Sequence, residues 1–339
     1  NADVVPVVAE GISVLPVQGN VYMLGGAGAN ITASVGREGI LLVDTGSAEI
    51  QQQTLQAVLE LGSRVTASPR PNACNGLNCP DSPYRWTSPS LNAVIASPEP
   101  LKAIRYIINT SADPDHVGGN GTLAELSPDS SIVAVTFPPL NIPPAANVVA
   151  HENVLNRILD TDPEFPDVGL PIEVFHTDKY RISQFFNGEG VQIFHVPNAH
   201  SDGDSFVWFR QSDVIAAGEL VRADGYPRIK VDAGGSIDGV LAGLNQMLDI
   251  MVAEFRAQGG TLVIPAQGRL LDTGDIGNYR NMVAIIRDRV QHLIDQGMDL
   301  EQVLAARPTQ DYDAWYGTET GDWTNRMFIE AVYLSLGGE

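Results

Sequence analysis

The chain has 339 residues, 44% of them apolar, with 33 Gly, 22 Pro, 2 Cys and a formal charge of −21. That length allows one large domain or two ordinary ones, and near-average apolar content excludes a disordered tail or a collagen-like repeat. No apolar run approaches the ~20 residues that cross a bilayer, and the acidic excess argues against a surface that holds nucleic acid through its phosphates.

Residues 12–17, 21–24, 31–35 and 40–43 are short β-prone runs punctuated by Gly19-Asn20, Gly25-Gly26 and the stretch from Gly36 to Gly39. Asp44-Thr45-Gly46 closes the last run, and residues 48–61 have the period of an amphipathic helix. From 62 to 100 the composition shifts to Ser, Pro and Asn, which predicts an insertion outside the core, at or near a pocket mouth. Cys74 and Cys79 lie inside it. A structural zinc there would need two further ligands that the neighbourhood lacks, whereas a disulfide needs none and would contribute roughly 2 kcal/mol. The disulfide reading, with an Asn1-Ala2-Asp3 start that resembles a trimmed mature protein, predicts a periplasmic or secreted location.

Residues 104–108 read as a buried strand running into Asn109-Thr110-Ser111-Ala112-Asp113-Pro114-Asp115-His116-Val117-Gly118-Gly119. A short strand at 147–150 feeds a helix start at His151. Strands follow at 191–197, 205–209 and 214–219, then a helix over 237–258, a strand at 261–265 and a long helix over 279–296. Strands and helices alternate unevenly, which predicts an α+β fold of sheets covered by helices, in a single domain over 1–339.

Polar residues recur where apolar β runs end: Ser111, Asp113, Asp115 and His116, then His200, then Glu219, then Gln267. Strand ends are where sheets present functional side chains on loops. Taken singly, Asp113-Pro114-Asp115 is a turn, His200 a bonded loop histidine and Glu219 a solvated acid. Taken together, four loops that each offer a ligand point to a metal pocket. His151, opening a helix after a strand, is a weaker additional candidate, as is Ser111.

The order of these segments resembles the metallo-β-lactamase superfamily over essentially the whole chain. Val43-Asp44-Thr45-Gly46 matches that family's Val-Asp-Thr-Gly strand end, and Thr110 to Gly119 matches its Thr-His-x-His-x-Asp-His-x-Gly-Gly signature. His200 matches a later histidine that follows a strand and Pro, Gly218-Glu219 holds the place of a bridging Asp, and Pro265-Ala266-Gln267-Gly268 that of a Pro-x-His-Gly turn. The departures fall on the ligands. Ser111, Asp113 and Gln267 stand where the family has histidines, and only Asp115, His116 and His200 keep its residue type.

The resemblance implies an αββα sandwich and a pocket for one or two divalent ions (Zn, Fe or Mn). One half would draw on Asp113, His200 and Glu219 with Ser111, the other on Asp115, His116 and Glu219 with Gln267. Exchanging imidazoles for carboxylates implies a harder ion than zinc. It also implies that, without metal, at least one of the crowded acids holds a proton. The chemistry implied is metal-assisted hydrolysis of a small-molecule ester, lactone, amide or phosphoester, with Asp115 as the catalytic carboxylate that orients water. The alternative is a degenerate small-molecule binding protein of the same fold that has lost its metal.

Overall fold

The computed structural model describes residues 8–9, 11–36, 38–67, 104–125, 145–182, 186–253 and 260–338. Cys74, Cys79 and the greater part of the 62–100 insertion lie outside them, and with them the disulfide and the insertion's placement.

The first sheet has eight strands in chain order: β1 (Val8–Ala9), β2 (Ile12–Gln18), β3 (Val21–Gly25), β4 (Ile31–Gly36), β5 (Gly39–Val43), β6 (Ile104–Ile108), β7 (Asn147–His151) and β8 (Glu173–Phe175). Pairing is antiparallel through β5 and parallel from β5 to β8. The second sheet has β9 (Lys179–Arg181), β10 (Val191–His195), β11 (Ser205–Phe209), β12 (Val214–Ala216) and β13 (Leu262–Ile264) in the order β13-β12-β11-β10-β9. Its one parallel pair is β12 with β13.

Side chains alternate across each strand, so a strand buried on both faces serves two cores. In β5, Ile40 and Leu42 pack against Leu55, Val58 and Leu61 of helix Gln51–Ala67. Leu41 and Val43 point the other way, to Ile193, Val207 and Phe209 of the second sheet. The second sheet repeats the scheme: Phe194 and Phe206 stack at 4.7 Å on its outer face, in a core shared with helices Ile237–Ile250, Thr273–Asp295 and Asn325–Ser335. The result is four layers, helix–sheet–sheet–helix, as the αββα expectation has it.

Strands β10, β12 and β13 are shorter than expected, and three helices differ in their bounds. Helix Gln51–Ala67 follows a 3-10 turn at Ala48–Ile50 and continues past Gly62, where a Cβ would stand 3.0 Å from Ile40 Cδ1, so glycine lets the helix lie close to β5. The helix expected over 237–258 stops at Ile250, because Met251 takes an extended backbone (φ −75°, ψ 145°). The one expected over 279–296 begins earlier, at Thr273, where Asp272 and Asp275 close a capping box. Among the described residues, no helix is long and apolar enough to cross a membrane.

Candidate metal centre

Both sheets deliver their strand ends to one rim of the sandwich. The Ser205 N–H at the start of β11 donates to the Thr110 carbonyl beyond β6 (2.9 Å), tying the two sheets together there. Asp44, directly after β5, adopts a left-handed backbone at φ 61°, which turns its carboxylate under the loop that follows β6. Its Oδ1 accepts from the Thr110 N–H (2.8 Å), and its Oδ2 from the Thr110 hydroxyl (2.6 Å). Oδ2 also lies 2.8 Å from His116 Nδ1.

Asp113 directly precedes the short helix Pro114–Val117 without a side-chain capping bond, and Pro114 stands at the helix's first position, where no N–H is needed. This turn sets Asp115 half-buried at the rim and His116 fully inside. His116 Nε2 lies 2.9 Å from Glu219 Oε1. Glu219 sits in the turn Gly218–Leu220 beyond β12, and that turn relies on Gly218. Gly218 has φ 54°, and a Cβ there would come within 2.5 Å of Thr110 Oγ1.

Donor atoms of Asp115, His116 and Glu219 all lie within 4.8 Å of one another. Glu219 Oε2 is buried without a hydrogen-bond partner. A buried carboxylate oxygen left unpaired is costly unless something meets it, and a cation is the ligand its charge suits. Asp44 holds His116 by Nδ1 and leaves Nε2 facing the pocket, the carboxylate–histidine arrangement that orients metal-binding imidazoles. These three residues fit a divalent ion.

The other half of the expected pocket is arranged differently. His200 Nε2 lies 3.1 Å from Asp113 Oδ2, and its Nδ1 lies 3.1 Å from the Arg228 carbonyl. Asp113 Oδ1 accepts from Lys230 Nζ at 2.7 Å. Ser111 Oγ accepts from the Asp113 N–H at 3.3 Å. Gln267 Oε1 accepts from the Arg222 guanidinium. His151 caps helix Glu152–Thr161 by accepting from the Asn153 N–H, and stacks on His195 with ring centroids 3.6 Å apart. No contact with the Asp115 group is seen for it among the described residues.

The charge balance differs from expectation too. Burial alone would raise the Glu219 carboxyl, yet His116 and His200 hold it down to about 2. Asp113 falls well below the usual carboxylate range, burial being outweighed by His200 and Lys230. Burial opposes charge on the two imidazoles, but Asp44 and Glu219 hold His116 well above its ordinary value, and Asp113 helps hold His200 up to about 9. Asp113 and Glu219 are thus lowered where the crowding of acids would have one of them raised, because imidazoles and an ammonium face them. The carboxylate raised in this region is Asp204, pushed up to about 6 by burial behind Ser201.

Asp44, Lys230 and Arg222 were not among the candidate residues. Asp44 had a visible signal, an acid ending a fully apolar strand within Val43-Asp44-Thr45-Gly46. Lys230 is one of only three lysines, a rarity from which no role follows without the fold.

The family model described as the metallo-beta-lactamase superfamily matches residues 15–288. A solved stereoselective inverting sec-alkylsulfatase, Pisa1 from Pseudomonas sp., superposes with a TM-score of 0.58 at 14% identity, over 96% of this chain and 50% of that one. The chain thus spans about half the length of that structure. The metallo-beta-lactamase DIM-1 superposes with a TM-score of 0.50 at 13% identity, over 80% of this chain and 97% of its own. VMB-1 gives 0.51 at 13% identity, over 80% and 96%. At these identities the likeness is one of fold. No curated protein sequence matches the chain.

Proposed function

Since the chain belongs to the metallo-β-lactamase superfamily, we propose that it is a metal-dependent hydrolase whose ion is held by Asp115, His116 and Glu219. The observation that carries this reading is the unpaired, buried Oε2 of Glu219 beside the other two donors. When bound, a divalent ion supplies Lewis acidity and makes water a nucleophile at neutral pH. Asp44 fixes the His116 ring through Nδ1, so that Nε2 faces the pocket. Asp115 at the rim is the catalytic carboxylate, orienting the attacking water and accepting its proton. Two carboxylates against one imidazole favour a harder ion than zinc, iron or manganese before zinc.

The substrate is a small ester, lactone, amide or phosphoester, to which the likeness to an alkylsulfatase fold adds sulfate esters. A panel of these, with a β-lactam, run with Mn, Fe, Zn or no metal on wild type and Asp115→Ala, tests the reading. Metal-dependent turnover that falls about 100-fold or more in the variant is expected for loss of a positioned base. A second reading, a small-molecule binding protein without catalysis, is favoured by the Gln267 amide being taken up by Arg222. No turnover in any arm, with no difference in the variant, would decide for it.

A further inference from the structure

We propose that Lys230 takes the place of a second metal ion: its ammonium closes the Asp113–His200 half of the pocket to cations and is the contact for an anionic group of the substrate. The inference rests on the single-ion hydrolase reading for what lies beside it, but its observations are separate.

Each side-chain oxygen and nitrogen of Asp113, His200 and Ser111 in this half already has a protein partner. Both Asp113 oxygens have partners, His200 on one and Lys230 on the other. Both His200 ring nitrogens have partners, Asp113 and the Arg228 carbonyl. Ser111 offers only a neutral hydroxyl, itself occupied by the Asp113 N–H. The neighbouring half differs in one atom: His116 and Glu219 Oε1 are paired there too, but the buried Glu219 Oε2 has no partner. A divalent ion seated between Asp113 and His200 would have to displace an ammonium and would then lie close to it, at a cost that grows as the pocket dries.

The lysine is placed there by the backbone rather than by chance of a long side chain. Its N–H donates to the His200 carbonyl (2.8 Å), and its own carbonyl accepts from the Gly235 N–H (2.8 Å) and the Ala233 N–H (3.0 Å). Gly235 is needed for that approach, because a Cβ there would stand 2.2 Å from the His200 oxygen. Lys230 and His200 are thus locked together as neighbouring loops of one rim.

The ammonium also has capacity to spare. One of its hydrogens goes to Asp113, no other protein partner is seen among the described residues, and the side chain is 44% exposed while Asp113 is buried beneath it. A donor anchored from below and open above suits an anionic oxygen arriving from solvent. The two halves share one turn, since Asp113 directly precedes helix Pro114–Val117, which carries Asp115 and His116. An anionic group held by Lys230 would therefore lie beside the Asp115 group. The substrate class is an ester or amide that also carries a sulfate, phosphate or carboxylate oxygen.

The test uses zinc chloride and sodium sulfate as probes, titrated calorimetrically at constant ionic strength into chelator-treated wild type, Lys230→Met and Lys230→Arg. Wild type should take up one equivalent of zinc. Sulfate should bind about tenfold more weakly to Lys230→Met, the loss of one charge-assisted hydrogen bond, with affinity largely restored in Lys230→Arg. Lys230→Gln serves if Lys230→Met fails to melt cooperatively. Two equivalents of zinc in wild type would overturn the proposal, as would equal sulfate affinity in wild type and the uncharged variant. No uptake of zinc, nor of manganese in a parallel titration, would instead refute the hydrolase reading, and the sulfate arm would still decide the role of Lys230.

Discussion

At Asp44 a single left-handed residue brings a carboxylate to both Thr110 and His116 Nδ1, so the orientation of the buried imidazole depends on one backbone torsion. Asp44→Asn preserves shape but removes the charge that favours a donor at Nδ1. Loss of such a partner costs about 10–100-fold in metal affinity, which competition with a chromophoric chelator would measure. His151 gives a pH effect of its own. Burial first, then the neighbouring His195, push it down to about 4 from an ordinary 6.5. Its folded form binds a proton less readily than its unfolded form, so its contribution to stability is present above pH ~6.5 and is lost as pH falls towards 4. Thermal melts of wild type and His151→Asn, which keeps an acceptor at the helix start, should diverge in that window with wild type losing more. Parallel melting curves from pH 7 to 4 would contradict it. At this scale the sequence was informative wherever a strand end carried a chemically distinctive residue, as at His116 and Glu219. It was silent on Lys230, whose place beside Asp113 depends on the loop pinned to the His200 backbone.

Elements were readable where burial follows a period. Gly39–Val43 is an apolar run buried throughout, whereas Ile104–Ile108 is interrupted by the exposed Arg105 and is buried at Ile104, Ile107 and Ile108; the two strands pair in parallel. Strands β8 and β9, three residues each, carry too little pattern to have been anticipated. The helix from Ile237 ends before its apolar pattern does, since Met251 and Val252 continue an apolar sequence that the backbone abandons. The turn Gly218–Leu220 is where an element most directly serves the site. Gly218→Ala would pay about 1–2 kcal/mol for a left-handed alanine, before its methyl meets Thr110 Oγ1. Lower thermal stability together with weakened zinc binding is expected. A variant as stable as wild type with unchanged zinc affinity would show that the turn does not hold Glu219 in place.

The whole molecule places its site where two packed sheets end together, so residues far apart in sequence converge without any one loop carrying the pocket. Four layers were inferable from the order of elements and the family resemblance, whereas the proposed division of the pocket into a cation-binding half and an ammonium-bearing half was not. That division depends on which side chain meets which across the seam between sheets, and no local pattern encodes it. Outside the described residues, Cys74 and Cys79 are proposed to be bonded, closing a small loop in the insertion. Thiol titration of denatured, unreduced protein should find no free thiol, and two would remove the argument for an oxidising compartment.

The central claim is that Asp115, His116 and Glu219 hold an ion. Elemental analysis of protein purified without added metal, then of the same protein reloaded and dialysed, tests it most directly with Glu219→Gln alongside. The account predicts close to one equivalent of a transition metal in wild type, and at least about tenfold weaker retention in the variant, whose neutral amide no longer meets the ion's charge. Wild type that stays metal-free after reloading, or a variant that retains its metal in full, would contradict it.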